Sequence, residues 1–134
     1  KLKNTIVIET GSMKGKRKEM LKEELHKTLE DYFGLNNIHS EYGMTELLSQ
    51  AYSKKNGIFH TPKWMNILIR DINDPLSFLD FNKSGGINII DLANLNSCSF
   101  IATDDLGIKL NENEFKINGR LSNSDIRGCN LLIQ

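Results

Sequence analysis

The sequence is short of residues that mark several protein classes. Only two cysteines, Cys98 and Cys129, occur among 134 residues, too few for the disulfide framework of a small secreted domain. Lysine plus arginine and aspartate plus glutamate both number 17, so the formal net charge is zero, and the positive field of a nucleic-acid-binding protein is missing. No apolar run approaches the ~20 residues of a membrane-spanning helix. We therefore expect a cytoplasmic protein with free thiols, no nucleic-acid partner and no membrane span.

The overall composition is that of an ordinary folded domain. Hydrophobic residues make up 39% of the chain and charged residues 25%, close to the average for globular proteins. A chain of this length suffices for one domain with a real core, so we expect a single domain over residues 1–134. Because the chain starts at Lys1 and a strand-like segment follows almost at once, we also expect it to be a fragment of a longer protein.

The first third of the sequence predicts a β-α-β unit. Residues 5–10 ("TIVIET") are β-branched and apolar, which indicates a buried strand that ends at Gly11-Ser12. "NNIHSEYG" predicts a second short strand, parallel to the first. Between the two strands, apolar residues recur at helical spacing and Gly34 terminates the helix; these apolar residues are Met20, Leu21, Leu25, Leu29, Tyr32 and Phe33.

The rest of the chain predicts short strands joined by turns. "WMNILIRDI" is typical of a strand, and "GGINIIDL", "SFIAT", "GIKL" and "EFKING" follow with turn residues between them. No helix pattern of comparable strength occurs in this half. The predicted fold class is therefore α+β (mixed), with a parallel βαβ start followed by antiparallel strands that form a barrel-like or meander end.

Three polar motifs each permit two interpretations. "TDDLG" (103–107) is typical of a turn capped by aspartate, or of a carboxylate that binds the hydroxyls of a ribose. "INGR" (117–120) contains an Asn-Gly turn signal, and its arginine is either a solvent-exposed cation or a fork for phosphate oxygens. "SEYGMTE" (40–46) is either a polar turn or a binding site. The arginine beside Cys129 favours a thiolate, although a lone cysteine is more often inert, and Cys98 has the sequence context of a core residue.

The order of these motifs resembles that of the adenylate-forming ligases. In that superfamily an aromatic-Gly-x-Thr-Glu motif is followed by a Thr-Gly-Asp motif and then by a Gly-Arg motif. The chain is most similar to the acyl-protein synthetases of the bacterial luminescence fatty-acid reductase system (LuxE-type), and more distantly to phenylacetate–coenzyme A ligases. The similarity covers nearly the whole chain, notably "ETGSMKGKRKEM", "EYGMTELLSQAYS", "DLANLNSCSFIATDDLG" and "GRLSNSDIRGCNLL".

The resemblance implies an activity for an intact parent protein. The chain would be its C-terminal portion, part of an adenylate-forming enzyme fold, and inactive without the N-terminal half. The parent would use ATP and Mg²⁺ to activate a carboxylic acid, a fatty acid, as its acyl-adenylate, and would then transfer the acyl group to a thiol of an acceptor protein. One alternative is an acyl-coenzyme A ligase with the same adenylate chemistry. Another is a non-catalytic nucleotide-binding or protein-interaction domain.

The resemblance also implies roles for residues of the first motif. Tyr42 would stack on the adenine, and Gly43 would let the backbone approach the nucleotide. Thr45 would donate a hydrogen bond to the α-phosphate, and Glu46 would hold Mg²⁺. Gly11 would line the pocket for the adenine and the acyl group.

The later motifs supply the remaining implied roles. Asp105 corresponds to the ribose-binding aspartate, Arg120 to the arginine of the Gly-Arg motif, and Cys129 to the nucleophile that accepts the acyl group. Together with Thr45 and Glu46, Cys129 completes the catalytic candidates. The sequence departs from the superfamily at Asp104, which replaces the glycine of the Thr-Gly-Asp motif. This second carboxylate would compete with Asp105 for the ribose.

Overall fold

The computed structural model describes residues 2, 4–11 and 22–121. Met20, Leu21 and the candidate nucleophile Cys129 lie outside these residues. A short 3-10 helix spans Leu92–Asn94. The other described elements are β1 (Ile8–Glu9), α1 (Lys22–Phe33), β2 (His39–Tyr42), β3 (Ala51–Ser53), β4 (Ile58–His60), β5 (Met65–Arg70), β6 (Phe78–Leu79), β7 (Ser84–Asp91), β8 (Phe100–Asn111) and β9 (Glu114–Arg120).

The strands form one nine-stranded sheet in the order β1-β2-β3-β4-β9-β8-β7-β5-β6. β1 and β2 are parallel, with Ile8 opposite His39, and the other described pairings are antiparallel. The mixed class and the parallel start are therefore as predicted. The barrel-like end is not confirmed, because the sheet of the described residues does not close and has β1 and β6 at its two edges.

Helix α1 ends at the predicted glycine. Gly34 has a φ of 69°, a left-handed conformation that glycine adopts without steric cost. The amides of Gly34 and Leu35 both donate to the carbonyl of Glu30, at 2.8 and 3.1 Å. These bonds satisfy a carbonyl that the last turn of a helix would otherwise leave without a partner.

Polar side chains connect α1 to the first two strands. Lys22 Nζ lies 2.9 Å from Glu9 Oε1, and His26 Nε2 lies 3.4 Å from the same oxygen and 3.3 Å from Ser40 Oγ. Burial raises the pKa of the Glu9 carboxyl, but the hydrogen bonds from Ser40 and Lys22 and the charge of Lys22 outweigh burial and hold that pKa below its ordinary value. The helix is therefore held on the sheet by a charged contact.

Three sequence-based assignments of strands and turns differ from the structure. The predicted strand over residues 5–10 is paired only at Ile8 and Glu9, and it is not buried, since Ile6 and Ile8 are 70% and 44% exposed. "SFIAT" from Phe100 onward, "TDDLG" and "GIKL" belong to the single strand β8, and the Asn-Gly pair lies inside β9. Gly119 has a φ of 135° there, beside a shift in the β8–β9 register, so a bulge accommodates the Asn-Gly pair and no turn forms.

The core lies against one side of the sheet. Alternate residues of β5 and β7 are buried, and they include Ile67, Ile69, Ile87 and Ile89. On the neighbouring strands Phe59 and Phe115 face each other in the β4–β9 pairing, with ring centroids 5.5 Å apart. The strands β3 and β4 that complete this aromatic region were not predicted from the sequence.

Candidate functional site

Three of the predicted site residues meet in one cluster. The hydroxyl of Tyr42, the last residue of β2, donates a hydrogen bond of 2.8 Å to Asp105 Oδ2. Arg120 Nε, at the end of β9, lies 3.2 Å from Asp105 Oδ1. Asp104 Oδ2 is 3.8 Å from Arg120 Nη2. Residues from two motifs that are separate in the sequence therefore contact the carboxylate of a third.

The Tyr42 side chain forms the inner wall of this cluster. Its ring is buried and meets the rings of Phe59 and Phe115 edge to face, at centroid distances of 6.0 and 5.5 Å. Burial, and then the charge of Asp105, raise the pKa of the Tyr42 hydroxyl above its ordinary value, so the hydroxyl stays protonated and donates at neutral pH. Within the described residues much of the ring is enclosed by aromatic neighbours, and its contact with an adenine stays a prediction.

An arginine that the sequence did not single out fixes the strand that carries Asp105. Arg70 Nη2 donates to the carbonyl of Thr103 at 2.6 Å, and Nη1 donates to the carbonyl of Ile87 and to Asn88 Oδ1. The Thr103 hydroxyl donates to the Ile87 carbonyl at 2.9 Å and accepts the amide of Asp105 at 3.1 Å. These bonds lie beside a register shift between β7 and β8 and satisfy carbonyls that such an irregularity leaves without ladder partners.

Thr45 and Glu46 lie on the turn that follows β2. The turn is closed by a hydrogen bond of 3.1 Å from the amide of Leu47 to the carbonyl of Met44. Thr45 and Glu46 are exposed, whereas Leu47 is buried in the core. The two polar residues therefore lie between two apolar side chains, Met44 and Leu47, that pack on the core.

The described residues suit one kind of magnesium binding. No group of three or more histidine, cysteine, aspartate or glutamate side chains in the described ranges could hold a metal ion. Mg²⁺ is commonly held by one or two carboxylates together with substrate phosphates and waters. The exposed Glu46 carboxylate fits that mode, and a cage made only of protein ligands does not fit the described part of the chain.

The two candidate glycines both lie in exposed positions. Gly11 follows β1 with a φ of 96°, in the conformation that favours glycine. A Cβ added at Gly43 would lie 3.2 Å from Gln50 Cγ.

A groove opens beside the loop that contains Gln50 and is lined in part by Tyr52 and Trp64. Its volume of about 680 Å³ lies within the usual size range of ligand sites, about 300–1,000 Å³.

A buried carboxylate on β7 binds the chain just beyond Glu46. Asp91 Oδ2 accepts the amides of Leu48 and Ser49 at 3.0 and 2.9 Å, and Oδ1 accepts the Ser49 hydroxyl at 2.7 Å and the Ala93 amide at 3.1 Å. Burial by itself raises the pKa of the Asp91 carboxyl, but these hydrogen bonds outweigh burial and hold that pKa below its ordinary value. The sequence placed Asp91 at the end of a strand and did not indicate this role.

Of the two cysteines, Cys98 contradicts the sequence-based expectation, and Cys129 is not tested by the structure. Cys98 is exposed and free, so its assignment to the core was wrong; its thiol donates to the carbonyl of Phe100 at 3.2 Å. Cys129 falls outside the described residues, and its role as a nucleophile stays a prediction.

Among the described residues no helix is long and apolar enough to span a membrane.

Comparison with known proteins supports the fold at a coarse level. No family model and no curated protein matches the sequence. Among solved structures, the chain is similar to a benzoate CoA ligase from Burkholderia xenovorans LB400, with a TM-score of 0.56 and 17% sequence identity. The match covers 86% of this chain and 25% of the ligase chain. At this identity the match shows a shared fold with about a quarter of the ligase chain.

Replacing Tyr42 by phenylalanine tests the cluster around Asp105. Tyr42→Phe keeps the aromatic packing and removes the hydroxyl from the carboxylate, so we expect the free energy of unfolding to fall by about 1–2 kcal/mol. Tyr32→Phe is the matched control, because Tyr32 is 80% exposed, and its unfolding free energy should match that of the wild type. Equal stability of the two variants in denaturant titrations would contradict the hydrogen bond.

The lowered pKa of Asp91 predicts a defined pH dependence. Its charged form is favoured by folding, so its stabilisation is complete above the ordinary aspartate pKa of about 3.9 and is lost as the pH falls through the lower folded value. We expect the difference in unfolding free energy between wild type and Asp91→Asn to be largest at neutral pH and to shrink below about pH 4. Denaturant titrations at a series of pH values measure it. For Asp80→Asn, at a side chain that is 92% exposed, the difference should stay near zero; a pH-independent difference for Asp91→Asn would overturn the assignment.

Proposed function

We propose that this chain contributes part of the nucleotide site of an adenylate-forming ligase. The observation that carries the proposal is the convergence of Tyr42, Asp105 and Arg120, which come from three motifs in the order typical of these ligases. The likeness in fold to a benzoate CoA ligase supports it. The match spans a quarter of that ligase's length, so the activity proposed below is that of an intact protein that includes these residues.

In this proposal the Asp105 cluster binds the nucleoside. A carboxylate has about four acceptor positions on its two oxygens, so Asp105 can hold Tyr42 and Arg120 and still accept a hydrogen bond from a ribose hydroxyl. Asp104, with a side chain that is 48% exposed beside Arg120, is the competing ribose ligand. Tyr42 would lie against the adenine, and the exposed Gly43 would allow the backbone to come close.

The turn after β2 would bind the phosphates in the proposed reaction. A carboxylate oxygen of the acid forms a bond to the α-phosphorus of ATP, the bond to the β-phosphate oxygen breaks, and pyrophosphate leaves. Thr45 would donate to an α-phosphate oxygen and Glu46 would hold Mg²⁺, which neutralises phosphate charge when bound. The protein's contribution is to position the reactants and to balance charge, and Gly11 would lie beside the adenine and the acid.

The second step transfers the acyl group to a thiol. A thiolate attacks the acyl carbon, the bond from that carbon to the AMP oxygen breaks, and AMP leaves. By resemblance to the LuxE-type synthetases, we propose a fatty acid as the substrate, a cytoplasmic setting, an acceptor protein and Cys129 as the first thiol to be acylated. The fold likeness to a CoA ligase favours one alternative, in which coenzyme A takes the acyl group directly.

Acid-dependent exchange of pyrophosphate into ATP tests the first step. With the intact protein, labelled pyrophosphate and a series of carboxylic acids, we expect exchange that requires both the acid and Mg²⁺. Glu46→Gln should lower the rate by about 100-fold or more, because one ligand of the metal loses its charge. Glu23→Gln, on the exposed side of α1, is the matched control and should exchange like the wild type.

Two outcomes of this assay would count against the proposal. Exchange that is equal in Glu46→Gln and wild type would remove Glu46 from the site. Binding of ATP without exchange for any acid would favour a non-catalytic nucleotide-binding domain. The 134-residue chain alone should show no exchange, because it corresponds to a quarter of the ligase chain it resembles.

Trapping of the acyl group distinguishes the two thiol acceptors. The intact protein incubated with ATP and a labelled fatty acid should carry label that hydroxylamine removes, as expected for a thioester. Cys129→Ala should abolish that label, whereas Cys98→Ala, which removes an exposed free thiol, should leave it unchanged. Label that persists in Cys129→Ala would exclude this residue, and label found only on added coenzyme A would favour the CoA ligase alternative.

A further inference from the structure

Two buried polar side chains bind the loop that follows Thr45 and Glu46. Asn94 Nδ2 donates to the carbonyl of Glu46 at 2.8 Å and to the carbonyl of Cys98 at 3.0 Å. Asp91 accepts the amides of Leu48 and Ser49. The Glu46 carbonyl and the amides of Leu48 and Ser49 are thus all bonded to the short segment 91–94 at the end of β7.

This segment is itself fixed to the first residue of β5 and to the residues just before β5 and β8. Asp91 lies opposite Met65 in the pairing of β5 with β7, and its amide donates to the carbonyl of Ser99 at 2.8 Å. The Trp64 carbonyl accepts the amide of Leu92 at 2.9 Å, and the Trp64 indole N–H donates to Ser49 Oγ at 2.9 Å. The Ser49 hydroxyl also donates to Asp91, so it connects the loop to β7 and to the residue that precedes β5.

Stability alone is a weak reason for this arrangement. Asp91 is completely buried, and a buried carboxylate offsets its desolvation only when its hydrogen bonds are complete; apolar residues of similar size are often as stabilising. What the polar groups add is direction, since a carboxylate and an amide hold backbone groups at fixed distances and angles. The backbone that they hold begins at Glu46.

We propose that Asp91 and Asn94 are positioning residues that fix the backbone of the Thr45–Glu46 turn for phosphate and metal binding. The inference rests on the proposed function, because it assigns a purpose to the held turn. The apolar side chains of the turn, the buried Leu47 and the partly buried Met44, pack on the core, but the Glu46 carbonyl itself is held by Asn94. Neither Asp91 nor Asn94 needs to touch the nucleotide.

The test measures pyrophosphate exchange in the intact protein as a function of Mg²⁺ and ATP concentration. For Asn94→Ala we expect the Mg²⁺ concentration at half-maximal exchange to rise on the order of tenfold. The loss of one hydrogen bond changes the equilibrium constant between the held and the released turn by about that factor. Asp91→Ala should be at least as impaired. Asp91→Asn should recover part of the loss, since its one remaining oxygen can still accept the amides of Leu48 and Ser49. Asn113→Ala and Asp80→Asn, both at exposed positions, are the controls.

Amide hydrogen exchange of the peptide over residues 44–50 supplies a readout that does not depend on activity. In Asn94→Ala and Asp91→Asn these amides should exchange faster than in the wild type, at a temperature well below global unfolding. Ser49→Ala, which loses only the hydroxyl contacts, replaces any variant that fails to fold. A purely structural role would lower the melting temperature and the active fraction, and would leave the Mg²⁺ requirement of the remaining active protein unchanged.

The outcomes separate this inference from the proposed function. Wild-type exchange activity with an unchanged Mg²⁺ requirement and unchanged amide exchange in the folded variants overturns the positioning role and leaves the proposed function standing. Absence of exchange in the wild type with every acid overturns the proposed function, and the positioning role with it, even if the amides of the loop respond. A raised Mg²⁺ requirement together with faster amide exchange supports both.

Discussion

Arg70 places its guanidinium against three oxygens where β7 and β8 shift register, and the arrangement of the candidate site follows from that contact. The contact requires a glycine on β7, because a Cβ at Gly86 would lie 2.5 Å from Arg70 Cζ. With Arg70 in place, the Thr103 carbonyl is bound and the Thr103 hydroxyl can accept the amide of Asp105. The register that brings Asp105 opposite Arg120 is thus stabilised from the neighbouring strand.

Two carboxylates organise the polar groups of this sheet in different ways. Asp105 is partly exposed and joins side chains from two other strands, Tyr42 of β2 and Arg120 of β9. Asp91 is buried and binds mostly backbone amides of the loop beyond Glu46. A partly exposed carboxylate keeps acceptor capacity for a ligand, whereas a fully bonded buried one acts as a fixed anchor. The difference in burial fits the proposed roles, which are ligand binding for Asp105 and support of the loop for Asp91.

The function proposed here combines a motif order with a likeness in fold, and neither is sufficient alone. Folds of one kind host many activities, and the benzoate CoA ligase shares 17% of residues with this chain. The motif order concerns side chains, and the structure brings the side chains of three motifs within hydrogen-bonding distance of one another. The motif order and the likeness in fold together support the proposal that the intact protein activates a carboxylic acid.

The sequence by itself determined the features that depend on neighbouring residues. The end of α1 at Gly34, the parallel start and the strand β5 were predictable because helical period, glycine conformation and β-branched runs act locally. Local signals misled where tertiary contacts override them: the Asn-Gly pair of β9 forms a bulge inside a strand, and Ile8 is exposed at a sheet edge.

Only the tertiary structure decided which polar residues act together. Arg70 lies 33 positions from Thr103 in the chain, and Asn94 lies 48 positions from Glu46, so no spacing rule connects either pair. Their partners are mostly backbone carbonyls, which every residue possesses and which leave no mark in a sequence. The motif residues could be named from the sequence, but the side chains that hold them in place became visible only when strand pairing brought distant segments together.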